Sequence, residues 1–374
     1  MTTITQSNVR LIASPQSWIE GEAVRQLYAT AQLEGMVQAV GLPDLHPGKG
    51  APVGAAFVSE GVIYPHLIGG DIGCGMSLFK TSLLRREAKL DRWAKLRFSL
   101  EHPWEEFAGD FLAEQNLDST EFDAALGTIG GGNHFAELQA VEKIEDSTAF
   151  KRLGIGKAQL VALVHSGSRG LGETILREHV DEYHGRGVPA DSEAGQAYVR
   201  GHDFAVRWAR ANRALIARRF AATLGADAES VWDGCHNSIT PVPESGAWLH
   251  RKGAVVADGE FVVIPGSRGS LSYVVKVLGD GASHGWSLAH GAGRKWSRSE
   301  SRLRMRERFD AQELAQTPLG GRVICEERDL LYEEAPAAYK NIGQVVQDLV
   351  DAGIASVIAT LRPLLTYKTR KVLR

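Results

Sequence analysis

Apolar residues recur at helical spacing over residues 20–34 (EGEAVRQLYATAQLE), which predicts a helix, and the run MVQAVGL from Met36 predicts a strand behind it. From Pro43 to Met76 there is no helical period. Glycine, proline and short apolar runs such as VGAAFV and VIYPHLI predict strands and tight turns there. Residues 85–99 (RREAKLDRWAKLRFS) read as an amphipathic helix with a basic face. QLVALVHS, from Gln159, is continuously apolar and suits a buried strand. The longest helical pattern spans 192–224, with Arg207, Arg210 and Arg213 at helical spacing and Phe204, Trp208 and Phe220 among its apolar positions. Short strands are predicted at Val255–Val256, Phe261–Ile264 and Tyr273–Val277. A helix-rich tail then carries QVVQDLVDAG from Gln344 and a final strand, IASVIATLRPL. Tandem repeats, linkers and βαβ regularity are all missing, so the pattern predicts one mixed α/β or α+β domain over residues 1–374. No G-x-G-x-x-G opens a helix after an early strand, and no G-x-x-x-x-G-K-[ST] occurs, which argues against Rossmann and P-loop nucleotide sites.

Composition changes this picture in one respect. The chain is 44% hydrophobic and 23% charged with a net charge of −3, so no global field advertises nucleic acid or membrane. It lacks an apolar run long enough for a membrane span, and its start resembles no signal peptide, which makes the cytoplasm the expected location. Three cysteines, Cys74, Cys235 and Cys325, do not build a disulfide framework. Glycine is the outlier. Five segments (46–76, 127–137, 165–172, 265–272 and 290–298) total 67 residues and hold 19 of the 41 glycines. Backbone in those segments is expected to pass close to something.

The same segments carry the candidate chemistry. GGDIGCGM holds Asp71 and Cys74, GGGNHF holds His134, HSGSRG holds His165, CHN holds His236, and AHGAGR holds His290. Taken singly, Cys74 is more readily a core residue beside a turn aspartate, and each histidine a hydrogen-bonded structural one. Together they point to a borderline divalent metal such as zinc, manganese or cobalt. Asp71, Cys74, His134, His165 and His236 exceed the four ligands of one zinc; two ions sharing a thiolate would use all five. A second signal is anionic. IPGSRGSLSY offers Ser267, Arg268 and Ser272 around glycines, and HGAGRKWSR offers Arg294 and Arg298. From Arg294 to Arg308 six arginines and one lysine face two glutamates, either a solvated helix face or a channel for polyphosphate or nucleic acid. A histidine in such a loop can act as a nucleophile toward phosphorus.

The ordered set DIGCGM, GGGNHF, HSGSRG, HN, PGSRG, HGAGR and EAPAAYK resembles the RtcB family of RNA ligases, over nearly the whole chain from LPDLHPGKGAPVGAAF to LRPLLTYK. The resemblance implies a single α+β catalytic domain whose central β core carries the metal site with helices around it. It implies joining of RNA 3′-phosphate or 2′,3′-cyclic-phosphate ends to 5′-hydroxyl ends, with GTP as guanylyl donor and two Mn²⁺ ions. By motif, Cys74 bridges the ions, Asp71 and His134 hold one, His165 and His236 hold the other, and His290 is the guanylylated nucleophile. Asn133, Glu137, Ser267, Ser272, Ala292, Gly293, Tyr339 and Lys368 match the guanine-nucleotide pocket. Glu137 would accept from the guanine N1–H and 2-amino donors, and Lys368 would donate to its O6 or N7. Arg169, Arg294 and Arg298 are assigned to RNA or nucleotide phosphates. The span from His236 to His290 is short for the family, leaving tRNA splicing and repair of broken tRNA or rRNA both open, with or without an activating partner protein. The competing readings are a metal-dependent phosphoesterase or nucleotidyltransferase that does not ligate, and an RNA-binding subunit with a degenerate site.

Overall fold

A computed structural model describes residues 8–104, 108–242 and 244–369. Its centre is an eight-stranded sheet ordered Phe261–Ile264, Ser272–Val277, Ala355–Thr369, Phe135–Ile144, Gln159–Ser166, Gly75–Leu84 and Ala228–Cys235, with Arg322–Cys325 also paired to Ala355–Thr369. All these pairings are antiparallel except the last. A five-stranded sheet runs Val9–Leu11, Met36–His46, Val53–Ser59, Trp248–Lys252 and Asn237–Pro241. The chain crosses from the larger sheet to the smaller at His236, between Cys235 and Asn237. The architecture is therefore mixed α+β.

The predicted strand from Gln159 is covered on both faces. Leu160, Val161, Ala162, Leu163 and Val164 are all fully buried, which explains an unbroken apolar run in place of alternation. One cover is the long helix, Glu193–Thr223. Ser192 caps its start by accepting from the Gly195 N–H, and Gly225 follows its end with φ 74°. Its Ile216, Ala217 and Phe220 pack with Leu138, Ala140, Leu160 and Ala162 of the sheet. Its Trp208 and Leu215 enter a neighbouring cluster with Ile72 and Leu126. Among the described residues no helix is long and apolar enough to cross a membrane.

Several boundaries differ from the sequence expectation. Residues 85–99 form a 3₁₀ turn, Arg85–Glu87, and one short helix, Leu90–Trp93, in place of a continuous amphipathic helix. Both Trp93 and Phe98 enter the core, Phe98 stacking on Phe220 at 5.2 Å; a chain that buries both has to leave the helix after Trp93. The final strand runs to Thr369 and so includes Lys368. Pro363 sits within it where the register with Phe135–Ile144 shifts, the setting in which a strand tolerates a residue without N–H. Val255–Val256 pair with Ser287–Leu288 in a separate two-stranded ladder. Strands Gly75–Leu84 and Phe135–Ile144 and helix Gly170–Tyr183 begin directly after glycine motifs that carry no period of their own.

Candidate metal and nucleotide site

Register explains how residues far apart in the chain reach one point. Gly75 lies opposite Ser166 on one side and Cys235 on the other, and Phe135 lies opposite His165. The ends of four adjacent strands thus bring Cys74, His134, His165 and His236 to one edge of the sheet. Cys74 Sγ is 3.2 Å from His165 Nε2 and 3.4 Å from His134 Nε2. His134 Nε2 is 3.2 Å from Asp71 Oδ2. Donor atoms gather in two triads, Asp71–Cys74–His134 and Cys74–His165–His236, each within 4.8 Å, with Cys74 common to both. That partition matches the one drawn from the motifs.

Backbone close approach accounts for the glycines. A Cβ on Gly167 would lie 2.0 Å from Asp71 Oδ1. Gly73, between the two ligand candidates, has φ 74° and lies against Val206 and Ala209 of the long helix.

The donor set fits a soft-to-borderline divalent ion. Burial pushes the Cys74 thiol up, reinforced by the Asp71 charge. Burial likewise pushes His165 and His236 well down, keeping them neutral lone-pair donors. Burial raises the Asp71 carboxyl, but the hydrogen bond and charge of His134 outweigh it and hold it at about 2. His165 Nδ1–H donates to the Asn133 carbonyl at 3.2 Å, leaving Nε2 as its ligand atom. His236 Nδ1 is buried without a hydrogen-bond partner. A cation would satisfy this cluster of lone pairs.

His290 stands beside it, its ring 5.0 Å from that of His236. Its backbone N–H donates to Asp44 Oδ2 at 3.1 Å. Its Nδ1 is 2.6 Å from the same oxygen, without the direction of a hydrogen bond. Asp44 is fully buried on the strand Met36–His46. Sequence reasoning left Asp44 out, although it lies in the LPDLHPGKG segment; the fold alone carries that strand to His290. His46 of the same segment stacks on His290 at 6.3 Å.

From His290 a cleft opens whose lining includes Asn133, Glu137, Ser267, Ala292, Gly293, Arg294, Arg298, Tyr339 and Lys368. Nine of the residues assigned to nucleotide or phosphate therefore line one cavity with His290. Ser272 stands behind the wall, where its Oγ accepts from Gln139 Nε2 at 3.0 Å and the Gly266 N–H at 3.3 Å. Arg169 lies outside that lining, 3.5 Å from His134 Nδ1. Arg294 is held by the scaffold, donating to Glu334 at 3.0 Å, to Ser301 and to the carbonyls of Trp296 and Glu333. Arg298 is half exposed at the mouth, 4.0 Å from Glu334.

Two buried carboxylates organise this cleft. Glu137 accepts from Gln139 Nε2 at 2.5 Å and from Thr366 Oγ1; burial pushes its carboxyl up to about 7. Glu334, at the head of EAPAAYK, accepts from Tyr339 OH and Arg294, and lies 3.9 Å from Lys368 Nζ. Burial raises the Glu334 carboxyl, but the charges of Lys368 and Arg294 prevail and hold it below its usual value. Lys368 is buried and pushed down to about 8. Buried Arg268 donates to the carbonyls of Leu331 and Glu334, tying PGSRG to the head of EAPAAYK and the helix before it. Sequence reasoning misses Glu334 because its cationic partners come from two other segments, HGAGRKWSR and LLTYK.

The family profile described as tRNA-splicing ligase RtcB matches residues 26–124 and 108–369. The chain is 45% identical over 364 residues to the RNA-splicing ligase RtcB2 of Escherichia coli, covering 96% of this chain and 94% of that protein. It is 31% identical to the RNA-splicing ligase RtcB of Mycobacterium tuberculosis, covering 91% and 99%, and 30% identical to the tRNA-splicing ligase RtcB of Thermococcus kodakarensis, covering 92% and 90%. With the motifs, the cluster that shares Cys74 and these matches in agreement, this chain belongs to the RtcB family of RNA-splicing ligases.

Proposed function

We propose that this chain is a GTP-dependent RNA ligase joining 3′-phosphate or 2′,3′-cyclic-phosphate ends to 5′-hydroxyl ends through a guanylylated His290. One observation carries the reading: His290 lies between the two-triad cluster and the cleft that gathers the motif residues assigned to guanosine nucleotide. Residues 8–369 act as one catalytic unit, because the larger sheet supplies the cluster while Asp44 comes from the smaller.

Asp71 and His134 would hold one divalent ion, His165 and His236 the other, with Cys74 shared. Mn²⁺ held there would neutralise charge developing on phosphoryl oxygens. Asp44 Oδ2 crowds Nδ1 of His290 at 2.6 Å, which leaves Nε2 as the nitrogen to attack. It forms an N–P bond to the α-phosphorus of GTP as the bond to pyrophosphate breaks. Glu137 as carboxylate accepts from the N1–H and 2-amino group of guanine, and the Lys368 ammonium donates to its O6 or N7. Adenine presents the opposite pattern to that pair, which selects GTP over ATP. Any cyclic phosphate is first hydrolysed. The RNA 3′-phosphate then displaces His290 from the guanylyl phosphorus, and the 5′-hydroxyl attacks the activated end with GMP leaving. Dividing the displacement into covalent steps is nucleophilic catalysis. Arg298 and Arg169 steady phosphates at either end of this path. Broken tRNA or rRNA is the substrate class.

The test is labelling by α-labelled GTP with Mn²⁺, followed by joining of 3′-phosphate and 5′-hydroxyl RNA. The parent protein labels and joins; His290→Ala does neither. Labelling that persists in His290→Ala removes His290 as nucleophile, and end-phosphate release without label favours a phosphoesterase.

A further inference from the structure

Adjacent residues of the long helix, Asn212 and Arg213, are both fully buried beneath the cluster. Neither donates to its own helix through its side chain. Arg213 Nη1 donates to the carbonyls of Gly73 at 2.7 Å and Ser166 at 2.9 Å. Its Nε and Nη2 engage the two oxygens of Asp233 at 2.8 and 2.9 Å, and Nε also meets Ser77 Oγ at 2.8 Å. Gly73 lies between Asp71 and Cys74, Ser166 follows His165, and Asp233 precedes His236 by three residues. Asn212 reaches the remaining segment. Its Oδ1 accepts from the Gly127 N–H at 2.7 Å, and Nδ2 donates to the Gly167 carbonyl at 3.2 Å. Gly127 closes the turn that precedes the GGGNHF segment, seven residues before His134.

Two neighbouring side chains therefore touch all four backbone segments that carry the candidate ligands. We propose that Arg213, braced by Asn212, is a positioning residue that sets the spacing between the Asp71–Cys74–His134 and Cys74–His165–His236 triads, and so the fit of the two ions. This rests on the metal reading above. The planar guanidinium fork explains the residue type, since five fixed donors span three segments at once. A lysine ammonium keeps the charge but is a compact group with three rotatable donors, and it satisfies Asp233 at the expense of the carbonyls. Outer partners that orient metal ligands typically change affinity 10–100-fold when altered, on the order of what is expected here.

The experiment titrates Co²⁺, a spectroscopic stand-in for Mn²⁺, into the metal-free full-length parent, Arg213→Lys and Asp233→Asn. Absorption reports thiolate ligation, and the metal-induced rise in Tm gives an independent readout. The parent binds two ions. Arg213→Lys binds at least one about tenfold or more weakly, with a displaced cobalt spectrum. Asp233→Asn, which removes the charge that Arg213 and Ser77 share on the strand leading to His236, weakens at least one of the two binding steps. Parental affinity and spectrum in variants that fold overturn the proposal. So does failure of both variants to fold even with excess cobalt, since Arg213 is then an element of global stability alone. If only one variant folds, its cobalt affinity and spectrum decide. A parent that does not bind two ions defeats the metal reading itself and is told apart from the other outcomes.

Discussion

Replacing Glu334 with glutamine removes one negative charge from the cleft wall while keeping the size of the side chain. Lys368 Nζ lies 3.9 Å from Glu334 Oε2, and both are buried. At an effective dielectric of about 20, a full charge pair at that separation is worth about 4 kcal/mol. That corresponds to about three pH units at 1.4 kcal/mol each. Reorientation of the glutamine amide takes back part of it, so a downward move of about one to two pH units is expected. Lys368 already sits at about 8, pushed down by burial. Half or more of the variant's ammonium is then lost at neutral pH. A lysine is cationic below its pKa and neutral above it, so under the proposed mechanism guanylylation falls as pH rises through that value. The assay is kcat/KM for protein guanylylation against pH, which reports groups of the free enzyme. The parent loses activity above about pH 8, and Glu334→Gln shows the same limb about one to two pH units lower. Lys368→Arg abolishes the limb, because a guanidinium does not titrate in this range. A limb at the same pH in parent and Glu334→Gln refutes the coupling.

Three further outcomes follow from the geometry. Cys74→Ala removes the one atom common to both triads; metal titration should find fewer than two ions and an affinity loss beyond the roughly 100-fold ceiling of outer-partner changes, and two ions at parental affinity would remove Cys74 as the bridge. Gly73→Ala places a Cβ at φ 74° and 2.9 Å from Val206 Cα and Ala209 Cβ; urea unfolding should show a loss of about 2–4 kcal/mol, and a loss under about 1 kcal/mol would show that the loop yields. His250 is fully buried, accepts from the Tyr64 N–H, and is pushed down by burial to about 3. The unfolded chain takes up that proton first, so stability falls as pH drops from 6.5 toward 3, by about 1.4 kcal/mol per pH unit from this group. His250→Gln should flatten the slope by one proton between pH 6 and 4, and an unchanged slope would contradict the assignment.

Much of the site could be read before any fold was known, because ligand chemistry and close backbone approach both restrict residue type. Cys74, His134, His165, His236 and His290 each stand beside glycine or at a strand end, and the structure gathers them within one neighbourhood. The long helix and the buried strand at Gln159 were equally legible, since each extends far enough for its period or its unbroken run to show. The basic segment 85–99 was misread, because local periodicity cannot register that Trp93 and Phe98 must both face one core.

The sequence by itself determined the candidate ligand types, the segments in which backbone must approach closely, and the family. Tertiary structure alone decided which of those residues share a wall. Ser272 became a support behind the pocket, Arg294 became part of the scaffold, and Asp44, Glu334 and Arg213 emerged as organisers. The physical reason is that a ligand or nucleophile has to be a particular residue, whereas a charge partner has only to arrive at the right distance. Strand register and the crossing between two sheets set that distance, and no local pattern encodes it.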